Sequence, residues 1–91
     1  MFTPERRTRL QVLVEILEVC REKTMKTDIM YKTKTMYRIF NDVLTKAGQY
    51  GLVKKNRSRH RHKYSTTLKG QQFLEKYQEL QTFLKRGKPN E

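Results

Sequence analysis

From Lys26 to Lys63 the chain reads KTDIMYKTKTMYRIFNDVLTKAGQYGLVKKNRSRHRHK, and the reading of this stretch decides the fold. Its first part, KTDIMYK, is a short helical piece with Ile29 and Met30 available for a core. After a break at Thr33-Lys34, Met36, Phe40, Val43, Leu44 and Ala47 follow the i, i+4, i+7, i+8, i+11 rhythm of one helix face. The opposite face carries Tyr37, Arg38, Asn41, Asp42, Thr45 and Lys46, all able to hydrogen-bond. Next come Leu52-Val53, the run KKNRSRHRHK and then YSTTL, two β-type runs around a cationic loop. The stretch predicts a helix-turn-helix followed at once by a basic hairpin.

Around this centre the chain is small. Ninety-one residues make one domain, and an apolar content of 35% suits one modest core. Lys and Arg total 21 against 9 acids, a net charge of +12. Such an excess concentrates polyanions at the surface and speeds their encounter, which favours nucleic acid or an anionic membrane surface as partner. No apolar run is long enough to span a bilayer and the N-terminus lacks a signal-peptide core. A reducing, cytoplasmic setting is expected, nucleoid-associated, or in a host cytoplasm for a viral protein. The single Cys20 has no internal disulfide partner.

Upstream, Thr3-Pro4-Glu5 offers a helix start with a cap hydroxyl and a first-turn Pro and acid, and Thr8 with Gln11 offers a second, as a capping box. Leu10, Leu13, Val14 and Leu17 then form a core stripe, widened by Val12, Ile16 and Cys20. The second helix is expected from about residue 26 to 32. The third is expected from about 35 to 48, with Thr35 as its N-cap and Gly48 and Gly51 at its close. Tyr50 and Leu52 are expected to fold back onto the core.

Downstream, Thr67-Leu68 opens a last helix reaching about Arg86, with Gly70 in its first turns. Leu68 and Leu74 are expected to meet the chain's own core. Phe73, Tyr77, Leu80 and Leu84 recur at spacings of four, three and four, the seam of a coiled coil, with Phe83 beside it. A single domain over 1–86, with residues 67–86 as a dimerisation helix and 87–91 as a disordered tail, follows from this reading. The alternative is a monomer in which the last helix folds back onto the wide stripe of the first.

The charge is concentrated. Residues 54–63 hold six basic groups and no acid, half of the whole excess. A solvated surface run would mix both signs. Flanked by Leu52-Val53 and Tyr64-Ser65-Thr66, the run reads as a wing and not as a disordered linker.

The order helix, helix, helix, hairpin, long helix, with LQVLVEILEVC, KTDIMYK, a helix ending in YGLV and then TTLKGQQFLE, resembles the small archaeal winged-helix DNA-binding family over residues 8 to 84. That family includes the ten-kilodalton chromatin-associated proteins. The resemblance implies a recognition helix in the major groove, a wing on the backbone or minor groove, and dimerisation through the terminal helix. Two features depart from the family: the terminal helix is shorter, and the wing is richer in Arg and His. A viral or plasmid regulator of archaeal origin fits equally well.

The expected fold is therefore α+β and mostly α, a winged helix-turn-helix with three helices, a two-stranded basic wing and a long C-terminal helix. Its expected partner is double-stranded DNA, as a transcription regulator or nucleoid-type architectural protein. The contact residues expected are Lys34, Thr35, Tyr37, Arg38, Asn41 and Thr45 on the third helix, and Lys54, Lys55, Arg57, Arg59, His60, Arg61, His62 and Lys63 on the wing. Asn and Arg are the side chains that read adenine and guanine edges in pairs of hydrogen bonds, and Arg57, Arg59 and Arg61 could present one cationic side to a narrow minor groove. Phe73, Tyr77, Leu80, Phe83 and Leu84 are the expected dimer contacts. Two other classes compete: an RNA-binding protein using the same hairpin, and an interaction module for an acidic protein. Against RNA stands the lack of an exposed aromatic platform, since Phe40, Tyr50 and Phe73 read as core. No catalytic residues, cofactor, metal site, membrane contact or small-molecule substrate is expected. Cys20 with His60 and His62 lacks ligand spacing.

Overall fold

The computed structural model of the chain describes residues 7–58 and 61–86. The helix start considered at Thr3-Pro4-Glu5, the tip residues Arg59 and His60, and the tail at 87–91 lie outside the described residues. In chain order the elements are α1 (Arg9–Val19), β1 (Thr24–Met25), α2 (Lys26–Thr33), α3 (Tyr37–Gln49), β2 (Val53–Ser58), β3 (Arg61–Thr66) and α4 (Leu68–Arg86). The expected mixture, mainly helical with a hairpin before a long last helix, is observed. The sheet, however, has three strands in the order β1-β3-β2, all antiparallel.

The capping box opens α1. Thr8 Oγ1 accepts from the Gln11 N–H at 3.1 Å, and Gln11 Oε1 accepts from the Thr8 N–H at 2.8 Å. Of the apolar stripe, Val12, Ile16, Leu17 and Cys20 are buried, Leu13 and Val14 only half so, and Leu10 is exposed. The buried line is thus rotated from the expected Leu10–Leu13–Leu17 line. Helix α1 is packed by α2, α3, α4 and β3 together, and Ile16, Leu17 and Cys20 are the residues this packing covers completely. Burial pushes the Cys20 thiol up to about 11, leaving it a small, unreactive hydrophobe.

Helix α3 begins two residues later than expected. Its N-cap is Met36, with no side-chain cap bond, and Thr35 turns inward. The Thr35 hydroxyl donates to the Thr33 carbonyl at 3.2 Å and accepts from Arg7 Nη2 at 3.1 Å. Met36, expected in the core, is exposed because it precedes the helix. Phe40, Val43, Leu44 and Ala47 are buried as their spacing requires. The helix closes in a Schellman motif: the Leu52 N–H reaches the Ala47 carbonyl at 2.8 Å and the Gly51 N–H reaches Gly48 at 3.1 Å. Gly51 takes the left-handed conformation (φ 76°) this closure demands. It sends Leu52 into the core but leaves Tyr50 60% exposed, correcting the expectation for Tyr50.

Two bonds tie the root of the hairpin to α1: the Thr66 N–H reaches the Cys20 carbonyl at 2.8 Å, and the Thr66 hydroxyl reaches the Leu17 carbonyl at 2.7 Å. From there α4 starts against the sheet and runs along α1, with Leu74 fully buried. Leu68, expected in the core, is exposed. Phe73, the first member of the expected dimer seam, packs partly against the chain's own core.

Candidate nucleic-acid interface

Tyr37, Arg38 and Thr45 project from α3 and are exposed, with Asn41 half-buried behind them. Arg9, from α1, pairs with Asp42 at the margin of this face. Lys34 is exposed at the α2–α3 turn, where it adopts the left-handed conformation (φ 50°). Thr35 alone of the expected α3 residues is not on the outer face, since it is buried among the turn bonds.

The hairpin differs from the cationic loop expected. Register pairs Val53 with Thr66, Lys55 with Tyr64, Arg57 with His62 and Ser58 with Arg61, so the described residues of the basic run, 54–58 and 61–63, lie in strands. Strand residues alternate faces. Val53, Lys55, Arg57, His62, Tyr64 and Thr66 therefore share one face, and Lys54, Asn56, Arg61, Lys63 and Ser65 the other. Side-chain contacts agree: the Lys55 ammonium lies 6.0 Å from the Tyr64 ring centre, and Asn56 Nδ2 donates to Ser65 Oγ at 2.9 Å. Arg57 and Arg61 consequently lie on opposite faces, which corrects the picture of three arginines on one side. Arg59 and His60 lie outside the described residues.

The Lys55–Tyr64 face looks toward α3. Between them runs a cleft of about 330 Å³ lined by Asn41, Leu44, Thr45 and Gly48 from α3, Val53, Lys55 and Tyr64 from the sheet, and Lys26. Lys26, at the first position of α2, was missed by the sequence reading. Its ammonium donates to Asn41 Oδ1 at 2.9 Å and sits 5.8 Å from the Tyr37 ring centre. A cation at a helix N-terminus opposes the helix dipole, and that misplacement was the available signal. The outer face of α3 and the inner face of the wing thus form one surface with Lys26, Arg38, Lys55 and Arg57 on it, and among the described residues lining its clefts the carboxylate is Asp42.

Aromatics are more exposed than the sequence suggested. Tyr31, Tyr37 and Tyr50 are all open to solvent, but Tyr31 is on α2 and the other two lie at opposite ends of α3, whereas Tyr64 on the sheet is half-buried under Lys55. Among the described residues no three His, Cys, Asp or Glu side chains gather as for a metal, and no helix is long and apolar enough to cross a membrane.

A helix-turn-helix whose second helix lies beside a projecting antiparallel ribbon defines a winged helix-turn-helix protein. The chain belongs to the winged helix-turn-helix family, whose sequence profile matches residues 6–85. Among solved structures the fold is similar to Sso10a-2, a DNA-binding protein from Sulfolobus solfataricus (TM-score 0.70, 21% identity, covering 86% of this chain and 85% of that one). It is similar also to SSV1 F-93 (TM-score 0.62, 21% identity, 96% of each chain). No curated protein matches the sequence.

Proposed function

We propose that this protein binds double-stranded DNA, with α3 in the major groove and the wing on the adjoining backbone and minor groove, as a transcription regulator or nucleoid-type architectural protein. One observation carries the reading: the exposed face of α3 and the Lys55–Arg57–His62 face of the ribbon open on the same side and flank one cleft. A duplex presents two grooves separated by a phosphate strand to such a surface, and a wing beside a recognition helix fits that spacing. The description of Sso10a-2 as a DNA-binding protein supports the reading. Gel-shift titration against random duplex DNA, single strands and A-form RNA across a salt series tests it. The duplex is expected to bind tightest with affinity falling steeply in salt; preference for A-form RNA would transfer the surface to RNA, and no salt-dependent binding of any nucleic acid would favour an acidic protein partner.

The protein acts as a homodimer joined through α4. The first half of α4 lies on α1, with Leu74 buried and Gln78 Nε2 reaching Glu18 Oε2 at 3.4 Å. Beyond Gln78, Leu80, Phe83 and Leu84 are exposed, and Tyr77 is half-buried. Fully burying such side chains is favourable by about 1.5–3 kcal/mol each, and a two-fold related α4 supplies the cover. Such an axis also sets two reading heads along one duplex. Sedimentation equilibrium is expected to give a dimer for the wild type and a monomer for the Leu80→Glu/Leu84→Glu double variant. A wild type monomeric at tens of micromolar, weaker than about −6 to −7 kcal/mol of association, would remove the dimer.

A further inference from the structure

The contact between Lys26 and Asn41 has a consequence for which bases α3 can read. An unencumbered Asn reads adenine by accepting from N6 and donating to N7. Here the Asn41 oxygen already accepts from the Lys26 ammonium at 2.9 Å. A Lys ammonium has three donors and no acceptor, so it can only face the amide oxygen, and the amide orientation is set by chemistry. Asn41 Nδ2 makes no hydrogen bond to another described residue, so Asn41 offers a ligand its two N–H donors and one remaining lone pair on Oδ1, which lies beside a cation that disfavours an approaching N–H. Lys26 is itself held from a second side by the Tyr37 ring at 5.8 Å.

The neighbours extend the same bias. Arg38 and Lys55 are donors only, and the nearby carboxylate, Asp42, is held through Oδ2 by Arg9 at the margin of the face. The hydroxyls of Tyr37 and Thr45 serve either role, and Asp42 Oδ1, at the margin, is a further acceptor. In the major groove guanine presents two acceptors, N7 and O6, whereas adenine and cytosine each present an amino group that requires an acceptor.

We infer that Lys26 is a specificity-determining residue: by engaging the Asn41 oxygen and placing a cation beside it, it biases this part of α3 toward donating, so that it selects guanine edges over adenine. The inference rests on the duplex-binding reading above and gives it a base preference. Lys26 joins Asn41 in the contact, its remaining N–H groups directed with those of Nδ2 at one guanine edge.

Selection of duplexes from a randomised pool by the full-length protein tests this. The wild type is expected to enrich guanine at one or more fixed positions. Changing that guanine to adenine, or to 7-deazaguanine, which lacks only the N7 acceptor, should weaken binding about ten-fold or more, within the range for a paired base contact. The 7-deazaguanine comparison needs no protein variant. In Lys26→Met the stem is kept and the ammonium lost, so the Asn41 oxygen is freed; adenine should then be accepted at that position as well as or better than guanine. Thermal unfolding of the variant checks that the fold is intact. A wild type that enriches adenine, a pool that shows no base preference while still binding, or a Lys26→Met variant with the wild-type preference overturns the inference and leaves duplex binding standing. Failure of the wild type to retain any duplex overturns the binding reading itself.

Discussion

Replacing Lys55 and Arg57 together by Gln is expected to flatten the dependence of log K on log salt by up to about two units, because each phosphate contact releases roughly 0.9 counterion equivalents on B-DNA. Between 50 and 200 mM salt this corresponds to a change in salt sensitivity of about ten-fold. Both side chains lie on the ribbon face that looks toward α3. The matched comparison is Lys54→Gln/Lys63→Gln on the opposite face, which removes the same charge and shifts the slope far less if only the α3 side meets DNA. Equal flattening by the two pairs would mean that phosphates embrace the ribbon from both sides. No flattening by either would exclude the wing from the interface. The register makes this a sharper comparison than neutralising Arg57, Arg59 and Arg61 together, since Arg57 and Arg61 do not share a face.

Gly70→Ala should destabilise the fold, although the helix rule alone points the other way. In a helix interior Ala is favoured over Gly by about 1 kcal/mol. A Cβ at residue 70, however, would lie 2.3 Å from the Leu52 carbonyl oxygen and 2.6 Å from Thr66 Cγ2. Neither neighbour is free to retreat. The Leu52 carbonyl accepts from the Thr67 N–H at 3.0 Å, and the Thr66 hydroxyl is spent on Leu17. Helix α4 must shift off the sheet, and overpacking of this kind costs about 1–3 kcal/mol, occasionally more. A fall in Tm of several degrees is expected, at about 4–8 °C per kcal/mol for a chain of this size, measured at fixed protein concentration because the proposed dimerisation would make Tm concentration-dependent. Gly48→Ala is the internal control: nothing lies within 4 Å of its Cβ and its φ is ordinary, so the same substitution should raise Tm. Stabilisation by both would show that α4 is not seated tightly on Leu52.

Much of the helical framework was legible because its causes are local. Thr8 and Gln11 cap α1 by contacts three residues apart, and Gly51 stops α3 through the conformation of a single residue. Phe40, Val43, Leu44 and Ala47 reach the core because 3.6 residues per turn leaves them no other side. What failed was placement at the margins. Leu10, Met36, Tyr50 and Leu68 are apolar and were assigned to the core, but each sits in a first turn or just outside a helix, where no second element covers it. Strand β1 is two residues long, and exists only because Thr24 and Met25 find Tyr64 and Lys63 across the sheet.

By itself the sequence determined the helix-turn-helix, the cationic hairpin and the apolar last turns of α4, since composition and periodicity act along the chain. The tertiary structure alone decided which charges share one face. A strand's side chains alternate with period two, so a one-residue change of register would exchange the two faces of the wing, and the pairing of Ser58 with Arg61 settles that choice. Likewise Lys26 and Asn41 are fifteen residues apart, and no local rule joins them. The turn between α2 and α3, with Lys34 in its left-handed conformation, brings the ammonium to the amide.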